Sequence, residues 1–213
     1  MTVMQLSAEI RWFWQGSPPA QLAEWFSSVA AHLCPPGGGE SRVDEYLCDG
    51  RQSELGLKRR GGKPGVEVKG LVDLSFSTLD AGDFVGPIEL WTKWTTEILE
   101  LESKLTIPVK KVRWLRKFDT TLPVVAEVPL DSREQPLGGS LLPARGCNVE
   151  LTQIDLPEGQ IWWSFGFESF GTIQTVAKDL EAAAIMLTKR GTPPLQIGLL
   201  ASYPSWLRQH CVR

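Results

Sequence analysis

The chain has 213 residues, 22 Lys and Arg against 25 Asp and Glu, and a formal net charge of −3, so any basic site is local and general nucleic-acid binding is not signalled. No run of about 18 apolar residues occurs, which excludes a membrane-spanning helix, and Met1 to Ala8 lacks the charged start and long apolar core of a secretory signal. The length fits one domain able to bury a substantial core.

The first predicted strand covers Ser7 to Gln15, with Glu9 and Arg11 on one face and Ile10, Trp12 and Trp14 on the other. Ser17 and Pro18 then suit the start of a helix from Pro18 to Leu33, in which Leu22, Trp25, Phe26 and Val29 recur at helical spacing. Pro35 to Gly39 is a loop without the Gly-Lys-Ser/Thr ending of a phosphate-binding loop. Strands are expected at Arg42 to Cys48, Glu54 to Arg60 and Gly65 to Leu74, the last two joined by a turn at Gly61 to Pro64. On them Lys58 and Arg60 alternate with Leu55 and Leu57, and Glu67 and Lys69 with Val66 and Val68. Pro87 to Trp94 reads as a strand while Trp94 to Leu101 has helical spacing, and the pattern leaves both open.

A long strand at Leu105 to Phe118 places Lys111, Arg113 and Lys117 opposite Val112, Trp114 and Phe118. Thr120 to Gly146, rich in Pro and Gly, reads as a long loop or lid with a short strand at Val124 to Glu127. A hairpin follows, Cys147 to Ile154 and Gln160 to Phe170, carrying Glu150 and Glu168 on its polar face. The helix Thr172 to Thr188 has one apolar stripe suited to covering a sheet. The tail after Gly191 is broken by prolines and ends in a helical turn. These faces predict a mainly β fold: a closed or nearly closed antiparallel barrel of about eight strands, charged inside, with flanking helices outside. Cys34, Cys48, Cys147 and Cys211 are widely spaced without a C-x-x-C pair, which points to a reduced, cytoplasmic protein without zinc or a disulfide framework.

This order of elements resembles the CYTH or triphosphate tunnel metalloenzyme superfamily over Leu6 to Arg190, giving a barrel domain at 1–190 and a tail at 191–213 packed on it. The resemblance is carried by Ala8-Glu9-Ile10-Arg11-Trp12-Phe13, Asp44-Glu45-Tyr46-Leu47, Leu57-Lys58-Arg59-Arg60 and Val66-Glu67-Val68-Lys69-Gly70. It continues in Lys111-Val112-Arg113-Trp114-Leu115-Arg116-Lys117, Val149-Glu150-Leu151 and Phe167-Glu168-Ser169-Phe170-Gly171. It implies a tunnel that binds a small triphosphate-type anion through Arg11, Lys58, Arg60, Lys69, Lys111, Arg113 and Lys117. It also implies Glu9, Glu150 and Glu168 as catalytic residues and ligands of Mg²⁺ or Mn²⁺.

The first-strand signature of the family is Glu-x-Glu-x-Lys, and here Arg11 and Phe13 replace its second Glu and its Lys. A cation in place of a metal ligand favours phosphate over metal, and Arg11 suits a salt bridge to Glu150 or Glu168 that fills the metal's place. Anion binding with weak or lost hydrolysis is therefore expected ahead of a metal-dependent triphosphatase. Two other classes fit a β-rich chain: an apolar-ligand barrel, and an interaction module using exposed Trp91, Trp162 or Trp206. Tyr46 reads as core or rim, and the lone His32 and His210 receive no catalytic or metal role.

Overall fold

The computed structural model describes residues 4–18, 20–28, 39–48, 53–101, 106–131, 133–139, 141–189, 191, 195 and 198–210. Its elements in chain order are β1 (Gln5–Gln15), α1 (Ala20–Ser28), β2 (Glu40–Leu47), β3 (Leu55–Arg60), β4 (Val66–Ala81) and β5 (Phe84–Thr96). They continue with β6 (Thr106–Asp119), β7 (Ala126–Val128), β8 (Gly146–Asp155), β9 (Ile161–Gly171), α2 (Val176–Thr188), β10 (Leu199–Leu200) and α3 (Tyr203–His210).

Eight antiparallel strands close into a barrel in the order β1-β5-β4-β3-β2-β6-β8-β9, and β9 returns to β1 over Leu6↔Gly171 to Gln15↔Trp162. Closure removes the unpaired edges that an open sheet would expose. The short β7 pairs with the end of β6, and β10 pairs with Trp12 and Phe13 of β1.

The apolar strand faces point outward, as alternation requires, and are buried under two helices. Ile10, Trp12, Leu90, Val149, Leu151, Phe165 and Phe167 join Leu22 and Phe26 of α1 and Val176, Leu180, Ala184 and Leu187 of α2 in one core. The sequence expectation for α2 began at Thr172; the helix starts at Val176, after a turn in which Thr172 accepts from the backbone of Thr175 and Val176. Residues 29–33 of the expected first helix, His32, and most of the Pro35 to Gly39 loop lie outside the described residues, as do Cys34 and Cys211.

Two expectations need correction, and one segment left open is decided. The strand expected to stop at Leu74 runs to Ala81 through two register shifts, and the turn at Gly82 (φ 63°) sends the chain straight back as β5. The segment with helical spacing after Trp94 is strand to Thr96. Trp91 and Trp206 are fully buried and Trp162 is 6% exposed, which removes the exposed tryptophans on which an interaction module would depend.

The tail does more than pack on the outside. Trp206 and Leu207 of α3 form a second core with Phe13, Tyr46, Ile107, Val109, Ile154 and Trp162, and the Phe13 and Trp206 rings stack at 4.9 Å. Alternation puts Phe13 on the same side as Glu9 and Arg11, so α3 plugs one end of the barrel interior. Among the described residues no helix is long and apolar enough to cross a membrane.

Candidate functional site

The strand alternation delivers charged side chains from every wall to one lumen of about 340 Å³. Glu9 and Arg11 come from β1, Arg42 and Tyr46 from β2, Lys58 and Arg60 from β3, and Glu67 and Lys69 from β4. Lys93 comes from β5, Lys111, Arg113 and Lys117 from β6, Glu150 from β8 and Glu168 from β9. All ten residues singled out in the sequence therefore line the same cavity. Charged residues facing inward exclude the apolar-ligand barrel, which needs the opposite orientation.

The three acids cast as metal ligands are each held by a cation. Arg11 Nη2 donates to Glu150 Oε2 at 2.8 Å, and Arg113 Nη1 donates to Glu150 Oε1 at 3.0 Å. Lys69 pairs with Glu9, whose other oxygen accepts from Ser7 Oγ at 2.7 Å. Lys93 pairs with Glu168. Burial raises the cost of charging Glu150, yet Arg113 and Arg11 hold its carboxyl well below the usual carboxylate range. Burial likewise opposes Glu168, but Lys93 brings it down to about 2.

Among the described residues no three His, Cys, Asp or Glu side chains stand close enough to share a metal ion. A donor set already neutralised by Arg11, Arg113, Lys69 and Lys93 does not fit a resident Mg²⁺ or Mn²⁺.

Among the described residues ten Lys and Arg side chains line the lumen against five Glu, so pairing within this set leaves cations over. Part of the surplus is balanced by two further acids on the inward face of β2: Arg42 pairs with Asp44 and Glu40, and Arg60 lies 3.5 Å from Glu40. Two lysines have chiefly neutral partners. Lys117 Nζ donates to Asn148 Oδ1 at 2.6 Å and lies 4.7 Å from the Phe170 ring centre, and no ion pair to it exists among the described residues. Lys111 Nζ donates to the Tyr46 hydroxyl at 2.5 Å, lies 3.6 Å from the Tyr203 ring centre, and is 3.9 Å from Asp44. Burial and the neighbouring Lys58 push the Lys111 amine well below the ordinary lysine range, against the pull of Asp44. Burial also lowers the Lys117 amine.

Sequence reasoning missed several lumen groups. Lys93 lies on β5, whose Glu89-Trp91-Lys93 alternation carried the signal but fell in the segment left between strand and helix; Glu89, on the same face, lines the adjoining cavity. Tyr46, read as core or rim, is both: its ring joins the α3 core and its hydroxyl meets Lys111. Glu134 reaches the lumen from the loop after β7, where no periodicity marks an inward direction. His210 packs its ring 4.3 Å from that of Trp162, a core contact. A second cavity of about 400 Å³ meets the lumen at Glu9, Arg11 and Tyr203.

No family model matches the chain, and no curated protein or solved structure matches it either.

Proposed function

We propose that the lumen binds a triphosphate- or polyphosphate-type anion, with weak or lost hydrolysis and without a resident metal ion. The observation that carries this reading is the surplus of lumen cations, in particular Lys111 and Lys117, whose amines are inward, largely buried and matched mainly by neutral groups. A buried amine with only one carboxylate at 3.9 Å, as Lys111 has in Asp44, or with no ion pair among the described residues, as for Lys117, is costly, and an anion supplied from solution lowers that cost for both together. Low-dielectric walls focus the resulting potential along the barrel axis. Arg113 offers bidentate contacts to phosphate oxygens and the lysines offer point charges. The closed barrel with a charged interior is also the architecture that the CYTH-like resemblance implies, and Arg11 paired with Glu150 favours binding over metal-dependent hydrolysis.

Thermal unfolding with triphosphate, orthophosphate and chloride at equal ionic strength tests the reading. A ligand at 100 times its Kd adds about 2.7 kcal/mol of stability, which for a chain of this size raises Tm by about 5 °C or more. Triphosphate is expected to produce that rise at low salt. No rise, or an equal rise with chloride, overturns the reading.

A further inference from the structure

The loop between β7 and β8 places a carboxylate where an anion would bind. Glu134 accepts from Arg113 Nε at 3.1 Å, and Arg113 Nη2 pairs with its second oxygen, a bidentate arrangement like that of Arg with phosphate. The Glu134 side chain is 20% exposed and lines the lumen beside Gln135 and Leu142 of the same loop.

The backbone at Glu134 is strained. Its φ of 60° makes it the only non-glycine residue with positive φ among those described. A glutamate lacks the short side chain that lets Asn or Asp adopt this conformation readily, so a cost of about 1 kcal/mol is expected. The turn is otherwise well formed. Asp131 Oδ1 accepts from the backbone of Arg133 at 2.8 Å and of Gln135 at 2.9 Å, Glu134 N donates to Asp131 O at 3.0 Å, and Leu137 N donates to Pro129 O at 2.9 Å. None of these bonds uses the Glu134 side chain, so the turn keeps them when that side chain leaves Arg113.

Glu134 is also poorly matched to its place. Burial, Glu40 and Glu150 all raise its carboxyl above the usual range, and Arg113 opposes them. Arg113 retains Glu40 at 2.9 Å and Glu150 at 3.0 Å when Glu134 leaves, so the exchange does not strip the guanidinium of its partners.

We propose that Glu134 is an internal competitor for the Arg113 end of the anion site, and that a phosphate group binds there by displacing it and releasing the 129–139 turn. The inference rests on the anion-binding reading and specifies which lumen position the ligand must win. Because one carboxylate occupies that position, the ligand must bring enough charge and length to engage the remaining lumen cations at the same time. A phosphate chain meets that requirement, whereas a small single anion does not.

The test is calorimetric titration of the intact protein with triphosphate, comparing the natural chain with Glu134→Gln and Glu134→Gly. Glu134→Gln removes the competing charge and keeps the shape; Glu134→Gly also removes the backbone strain. Both variants are expected to bind triphosphate about threefold to tenfold more tightly, and limited proteolysis within 129–139 is expected to accelerate when triphosphate is added to the natural protein. Equal or weaker binding by Glu134→Gln, with the natural protein binding normally, overturns the competitor role and leaves the anion site standing. Absence of binding by all three proteins overturns the anion-binding reading itself.

Discussion

Arg11 Nη2 lies 2.8 Å from Glu150 Oε2, and the same guanidinium donates through Nη1 to Ser164 Oγ at 3.2 Å. This contact joins β1 to β8 over Gly166 of the intervening β9 and puts a cation beside an acid that the family resemblance casts as a metal ligand. Its consequence is that Glu150 does not need a divalent ion.

Replacing Arg11 exposes that dependence. Arg11→Met leaves Glu150 with Arg113 alone, and losing one hydrogen bond to a buried charged group costs about 2 kcal/mol. Arg11→Glu goes further by setting a second carboxylate near Glu150. That variant is expected to be destabilised in EDTA and to gain Mn²⁺ binding, read by water-proton relaxation. Mn²⁺ binding to the natural protein that matches the variant's would contradict the substitution of cation for metal. Phe13→Lys, which would complete the family signature, is unsuitable: Phe13 is 1% exposed and stacked on Trp206, so a lysine there would lodge in the plug.

The plug itself gives a stability prediction. Trp206 is fully buried between Phe13, Trp162 and Tyr203, and truncating such a residue leaves a cavity. Trp206→Ala is expected to cost about 3–5 kcal/mol, measured as a lower urea midpoint. A loss below about 1 kcal/mol would mean that α3 is dispensable for the barrel.

Acid stability follows from Glu168. Its carboxyl is depressed from the reference value of 4.5 to about 2, with burial opposed chiefly by Lys93. A depressed acid stabilises the fold fully above its unfolded value, so this contribution is present above pH 4.5 and is lost as pH falls toward 2. Lys93→Met is expected to flatten unfolding free energy across that window and to cost about 2 kcal/mol at pH 7. That cost lies below the loss for a fully buried pair because the Lys93 side chain is 29% exposed. An unchanged pH profile in the variant would count against the pair.

Lys111 predicts proton uptake. Burial and Lys58 lower its amine, and an anion in the lumen reverses the charge balance around it. Calorimetry in buffers of differing ionisation enthalpy should show a proton balance shifted toward uptake on triphosphate binding by the natural protein relative to Lys111→Met, the ligand's own proton loss being common to both. A proton balance unaffected by the substitution would contradict this assignment.

The barrel wall was legible because each strand repeats with a period of two, and a two-residue period assigns a face to every side chain. Glu9, Lys58, Arg113 and Glu150 could thus be gathered from four separate segments. The β4–β5 ribbon was harder. Its register shifts between Leu71 and Asp73 and between Asp73 and Ser77 break the alternation, and the aromatic run around Trp94 imitates helical spacing. Glu134 was out of reach, since a loop residue acquires its direction from tertiary contacts. The plug was hidden for a related reason: Phe13, Ile107 and Trp206 meet only after the barrel has closed.

The central claim is that the lumen cations form one anion site, and titration of triphosphate into the natural protein and an Arg113→Ala, Lys58→Ala double variant tests it most directly. The account predicts clear heat of binding at low salt, weaker binding at high salt and a marked loss of affinity in the double variant, in which far-ultraviolet circular dichroism verifies the fold. No heat at low salt, or undiminished binding by the folded double variant, would contradict it.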